Sequence, residues 1–180
     1  SIKLSFDKKM GGSAAHLPGG IGWYRKQFKL PRSYNGKVIS ILFDAICHQS
    51  DVYINGHHLG FRPYGFCSIE YDLTPYLDYD GENVIAVRVN RSGVKDVARW
   101  YTGSGIYRHA WLQVTNPVHV ATYGTYVTTP SVSEDKAEIR IMTTLENELK
   151  KVQTVSISHL ILDNQGKIVA KSGTEKTLFE

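Results

Sequence analysis

Glu70 and Asp72, two residues apart, are the first candidates for chemistry in this sequence. Positions i and i+2 of a strand share a face. A carboxyl pair about 5–5.5 Å apart can split an acetal, one group acting as acid and base and the other as nucleophile. The neighbours of Glu70 and Asp72 are ordinary sheet residues and no second motif points at them, so a solvated sheet face is the better reading. The same holds for Glu82 and Asp96. Gly103-Ser104-Gly105 lacks the G-x-S-x-G spacing of a nucleophile elbow. His57 and His58 are adjacent, so on a strand they point to opposite faces and cannot chelate one metal. Cys47 and Cys67 have no metal-ligand spacing and are too few for a disulfide scaffold; both are expected as buried thiols. No acidic cluster has calcium-like spacing. Gly19-Gly20-Ile21-Gly22 resembles a phosphate cradle but has no strand before it and no helix after it. The sequence therefore predicts no catalytic residue, no metal and no cofactor in this chain. What remains is recognition. Trp100 and Tyr101 offer flat apolar faces with a polar handle, which suits a sugar ring.

The elements that must position these residues read as strands. Trp23 to Leu30 alternates, with Tyr24, Phe28 and Leu30 on one face and Arg25, Gln27 and Lys29 on the other, as in a half-buried strand. Residues 37–47 are apolar on both faces, as in the centre of a sandwich. Asn55-Gly56 between Val52-Tyr53-Ile54 and Leu59-Gly60-Phe61 is a strong hairpin signal, because both positions take positive φ. Ser68 to Asp72 is a short strand. Thr74-Pro75 predicts a turn of helix with Thr74 as its cap. Asn83 to Asn90 alternates cleanly. A polar loop, 91–99, delivers Arg99 and Trp100, and a strand over 107–114 closes the unit, with Trp111 expected in the core. Beyond Asn116-Pro117 the alternation resumes over 123–129, 137–145, 154–162 and 167–171, with Asp163-Asn164-Gln165-Gly166 as a turn.

The 180 residues allow one large or two small domains, and 42% hydrophobic with 21% charged residues is ordinary for a globular chain. A net charge of +4 with scattered basic residues argues against a nucleic-acid partner. No stretch reaches the apolar length of a membrane span. No signal peptide is visible, and the chain opens at Ser1 without an initiator Met, which reads as a trimmed N-terminus.

Four collinear stretches then carry a resemblance: Leu17-Pro18-Gly19-Gly20-Ile21-Gly22-Trp23-Tyr24-Arg25-Lys26, Asp51 to Gly60, Tyr71-Asp72-Leu73-Thr74-Pro75-Tyr76-Leu77, and Arg99-Trp100-Tyr101-Thr102-Gly103-Ser104-Gly105-Ile106-Tyr107-Arg108. Together they resemble the N-terminal sugar-binding domain of glycoside hydrolase family 2, the β-galactosidase-like members above all. The resemblance implies an all-β chain: a jelly-roll, galactose-binding-like sandwich over 1–117 followed by an incomplete immunoglobulin-like β-sandwich over 118–180. A seven-strand sandwich needs roughly 100 residues, so the second domain is expected to stop partway. Both catalytic glutamates of the family come from a later barrel, and nothing here resembles it. This chain is therefore expected to be an inactive, rim-contributing part of a retaining enzyme that hydrolyses terminal β-galactosides. Its expected partners are the carbohydrate, the barrel of the same protein and, through the open sheet edge, a second copy. For a bacterial parent, the expected location is periplasmic or secreted.

The family also implies the substrate-binding residues Arg62, Arg99, Trp100 and Tyr101. Well-studied members carry Asp where this sequence has Arg99, and Asn occurs in some relatives at Arg62. An arginine fork only donates hydrogen bonds and favours carboxylate or phosphate, so the substrate stays open. A loop-fixing ion pair stands beside sugar contact as a role for Arg99. A β-glucuronidase, a β-mannosidase and a stand-alone carbohydrate-binding module are the alternatives.

Overall fold

A computed structural model describes residues 8–10, 19–92 and 103–179. The chain falls into two compact units, Ser1–Val114 and Thr115–Glu180. Apart from short 3-10 turns, the regular structure among the described residues is all β.

The first unit runs β1 (Ile21–Phe28), β2 (Val38–Phe43), β3 (Ile46–Cys47), β4 (Ser50–Ile54), β5 (His57–Arg62), β6 (Ile69–Asp72), β7 (Asn83–Asn90), β8 (Gly105–Ile106) and β9 (Ala110–Thr115). One sheet has the order β1-β7-β4-β5 and another β6-β2-β9, while β3 pairs with β8. The core lies between the two larger sheets. Ile39, Ile41 and Phe43 of β2 meet Val52 and Ile54 of β4 and Ile85, Val87 and Val89 of β7. Each such side chain contributes about 1.5–3 kcal/mol on leaving water. The alternation of β7 is strict, with Ile85, Val87 and Val89 buried and the residues between them half-buried. This is an all-β sandwich.

The hairpin between β4 and β5 turns at Asn55 and Gly56, with φ of 49° and 85°, the positive pair that its residues favour. Asn55 also closes the fold: its Nδ2 donates to the Tyr76 carbonyl and to Asn83 Oδ1, and its Oδ1 accepts from the Val84 N–H, all at 2.8 Å.

Three expectations need correction. Thr74 does not cap the 3-10 turn Thr74–Tyr76; Leu73 occupies that position. The Thr74 hydroxyl instead accepts from the Ile39 N–H at 2.9 Å, tying the turn to β2. Trp111 is not in the core but 51% exposed. On β9 the period of two gives Val114 to the core and Leu112 to the same side, which turns Trp111 outward. There its indole N–H donates to Asp44 Oδ1 at 3.2 Å. Cys47 is buried, but Cys67 is only half-buried; both are free thiols.

The second unit is two antiparallel hairpins, β10 (Val118–Val132) with β11 (Ala137–Asn147), and β12 (Gln153–Leu162) with β13 (Ile168–Leu178). The Asp163 carboxylate accepts from the N–H groups of Gln165 and Lys167, both at 2.9 Å, and Gly166 takes φ of 81°. Thr143 of β11 and His159 of β12 share a hydrogen bond of 2.8 Å. No described residue from 115 onward is buried, whereas β2, β4 and β7 are packed on the core side. Amide protection follows buried apolar packing. Hydrogen exchange followed by mass spectrometry should therefore show faster opening over 118–178 than over 38–90; equal protection would contradict this.

Candidate functional site

Arg62 ends β5 opposite Ser50 of β4. The inward positions of β4 are Ser50, Val52 and Ile54, so Arg62 belongs to the core-facing side of the sheet, at its end, where its side chain is exposed. It lies within electrostatic reach of Tyr71. Burial raises the Tyr71 pKa above its ordinary value, the Arg62 guanidinium opposes that rise, and the Asp51 carboxylate adds to it. The Tyr71 ring covers Gly60, where an added Cβ would meet Cε1 at 2.8 Å.

After Arg62 the loop Pro63-Tyr64-Gly65-Phe66 folds against β3. Gly65 is buried beside Cys47, while Tyr64 and Phe66 are 57% and 49% exposed. The two rings meet edge to face with centroids 5.5 Å apart, and His48 meets Phe66 in the same manner at 5.8 Å. From the other side, Tyr107 donates its hydroxyl to the Gly65 carbonyl at 3.0 Å, and Cys47 Sγ donates to the Gly103 carbonyl at 3.3 Å. Ile46 and Cys47 pair with Ile106 and Gly105. Tyr24 of β1 accepts from the Ile106 N–H at 3.3 Å. Tyr107 is itself about half exposed, but partial loss of water around its hydroxyl raises its pKa; the neighbouring Cys47 adds to the rise and Arg108 opposes it.

The structure thus brings the Arg62 loop against residues 103–107, the segment that directly follows Arg99, Trp100 and Tyr101 in the chain. Those three residues themselves lie outside the described residues. His48, Tyr64, Phe66 and Tyr107 join this cluster beside the Arg62 loop, and sequence reasoning missed them. The aromatic and turn residues of Phe61-Arg62-Pro63-Tyr64-Gly65-Phe66 were the available signal for two of them. The others, His48 and Tyr107, directly follow β3 and β8, far apart in the chain.

This cluster offers donors and aromatic faces. Glu70 and Asp72 sit on β6 and are occupied locally: Glu70 Oε1 accepts from Ser40 Oγ at 2.6 Å, and Asp72 Oδ1 accepts from the Thr74 N–H at 2.9 Å. Among the described residues, no group of three or more His, Cys, Asp or Glu is placed to hold a metal ion.

Comparison with known proteins gives this arrangement a family. Residues 13–117 match the family described as glycosyl hydrolases family 2, sugar binding domain. A β-galactosidase of Bacteroides ovatus is 48% identical over 169 residues, covering 94% of this chain and 20% of its own length. A β-glucuronidase of Formosa agariphila is 38% identical over 172 residues, covering 85% and 18% respectively. Among solved structures, a glycosyl hydrolase family 2 member from Bacteroides cellulosilyticus superposes with a TM-score of 0.86 at 41% identity, covering 92% of this chain and 21% of that one. The chain spans about a fifth of the length of the curated relatives it matches. With a family match over more than half of its length, and with relatives that follow it across most of the rest, this chain belongs to glycosyl hydrolase family 2.

Proposed function

We propose that this chain is the sugar-binding part of a retaining β-galactosidase, and that it shapes the rim of the substrate pocket without supplying the catalytic carboxylates. The observation that carries this reading is the 48% identity to a β-galactosidase along 94% of the chain. In this reading residues 1–117 are the jelly-roll domain and 118–180 belong to an immunoglobulin-like domain. Arg62, Arg99, Trp100 and Tyr101 face the sugar, and a barrel elsewhere in the longer protein supplies the acid and the nucleophile. Arg62 donates to sugar hydroxyls from one side, and the aromatic faces pack against the apolar C–H surface of the ring.

A second reading, a β-glucuronidase, is favoured by one feature. Arg62 is an exposed donor fork, and a fork matches the carboxylate of a uronic acid better than a neutral hydroxyl. The full-length protein, assayed on 4-nitrophenyl β-galactoside and 4-nitrophenyl β-glucuronide, separates the two by the ratio of kcat/KM.

The chain alone should hydrolyse neither substrate, because the Glu70 and Asp72 carboxylates are occupied by the Ser40 hydroxyl and the Thr74 N–H. Turnover by the isolated chain that disappears in Glu70→Gln would refute that division of labour.

A further inference from the structure

The outer face of the sheet β1-β7-β4-β5 carries a second aromatic site, on the opposite side of β4 and β5 from Arg62. The register fixes its layout. Trp23 lies beside Arg88, which lies beside Asp51; in the next row Arg25, Ala86, Tyr53 and His58 follow one another across the four strands. Ala86 and Val84 are small, so the middle of the face is low and its sides are high. The result is a trough of about 680 Å³ lined by Trp23, Arg25, Tyr53, Asn55, Val84 and Ala86. That volume lies in the range of small-ligand sites, about 300–1,000 Å³.

Its walls are pre-positioned. Trp23 is 60% exposed on an edge strand, and its ring stands 5.8 Å from that of Tyr53 at 34°. Tyr53 is in turn backed by the His58 ring at 4.9 Å. His58 Nε2 is held by Asp51 Oδ1 at 3.0 Å, and the other oxygen of that carboxylate accepts from Arg88 at 3.1 Å. Asp51 therefore anchors both the ring that supports Tyr53 and the arginine beside Trp23. The Asn55 side chain is already committed to Tyr76, Asn83 and Val84. Arg25 is exposed and has no ion-pair partner among the described residues, so its guanidinium is the donor available to a ligand.

A large flat ring, exposed over a shallow apolar floor with a donor fork beside it, has the chemistry to bind a pyranose. The C–H face of the sugar covers the indole and the equatorial hydroxyls accept from the fork. We infer that this trough is a carbohydrate-binding site separate from the Arg62 loop, taking one ring of an oligosaccharide on the exposed face of Trp23, beside Arg25. It would hold the protein on a glycan chain while the rim engages a terminal sugar. This inference stands on the outer face alone and does not depend on which glycoside the longer protein cleaves.

Calorimetric titration of the whole chain with lactose, cellobiose and digalacturonate tests it. Saturable binding of at least one probe is expected, weakened about tenfold or more in Trp23→Ala, a change of about 1.4 kcal/mol, weakened in Arg25→Ala, and kept in Trp111→Ala. Trp23 and Arg25 are exposed, so their variants should keep the far-ultraviolet dichroism of the parent chain. No saturable binding of any probe would overturn the inference. So would binding of digalacturonate alone that survives Trp23→Ala. Self-association that is lost in Trp23→Ala, measured by sedimentation, would make the face a protein contact and overturn it as well.

Discussion

Asn83→Ala should cost the first unit about 3 kcal/mol, a large share of the roughly 5–15 kcal/mol that holds a domain folded. Asn83 opens β7 and is fully buried. Its Oδ1 accepts from the Asp78 N–H and from Asn55 Nδ2, both at 2.8 Å, and its Nδ2 donates to the Asp78 carbonyl at 2.7 Å. Alanine removes all three bonds and leaves the Asp78 N–H, the Asp78 carbonyl and Asn55 Nδ2 without the partner that the buried Asn83 supplied. A hydrogen bond contributes about 1 kcal/mol net, but each abandoned buried partner costs about 1–3 kcal/mol. All three tryptophans, Trp23, Trp100 and Trp111, lie in the first unit, so urea unfolding followed by tryptophan fluorescence reports on that unit. Asn83→Asp keeps the acceptor but turns an oxygen toward the Asp78 carbonyl, and should also lower the midpoint. An alanine variant within about 0.5 kcal/mol of the parent, the usual range for an unimportant surface site, would show that the bonds do not hold the turn.

How much of this could be read beforehand differs by element, for physical reasons. The Asn55-Gly56 turn was legible because the requirement is local: two successive positive φ values admit few other residues. The alternation of β7 was legible because a strand with one face in the core exposes a period of two. That period could not say which face of β9 goes inward. Trp111 was expected inside only because it lies within the closing strand. The core took Val114, and the Asp44 carboxylate at the sheet surface satisfies the indole N–H. Thr74 fits a capping pattern by sequence, but Ile39, 35 positions away in the chain, competes for its hydroxyl. Asn83 reads as an ordinary polar residue at a strand start, since both of its partners are brought in by the fold.

The candidate site shows the same division. Arg62 was legible, with the proline and glycine that follow it marking a loop. Tyr64 and Phe66 follow it directly, but His48 and Tyr107 lie 59 positions apart, and the pairing of β3 with β8 brings these two together. The outer trough was half legible, since the alternation that puts Arg25 and Gln27 on one face puts Trp23 there too. The Asp51 network behind it required the register of three strands.

The Arg62 loop should fail at Gly65. A Cβ there would stand 2.8 Å from Cys47 Cα, 3.1 Å from Cys47 Cβ and 3.2 Å from the Ile46 carbonyl oxygen. Two of these atoms are strand backbone and cannot rotate aside. Gly65→Ala therefore has to push its own loop outward. That movement stretches the bond from the Tyr107 hydroxyl to the Gly65 carbonyl and the 3.4 Å contact of the Gln49 N–H with the Pro63 carbonyl. Overpacking of this kind costs about 1–3 kcal/mol, and the rigid neighbours favour the upper end. Gly22→Ala is the control, because nothing lies within 4 Å of its added Cβ; it should change stability by no more than about 0.5 kcal/mol. A second readout separates loop displacement from general weakening. Loss of water around the hydroxyl holds the Tyr107 pKa above its ordinary value. If the loop swings out, that hydroxyl meets water again and its pKa should fall back toward about 10. Ultraviolet titration of Gly65→Ala against the parent, with Tyr107→Phe to identify the signal, would show it. Unchanged stability together with an unmoved Tyr107 transition would mean that the strand yields and the Arg62 loop keeps its place.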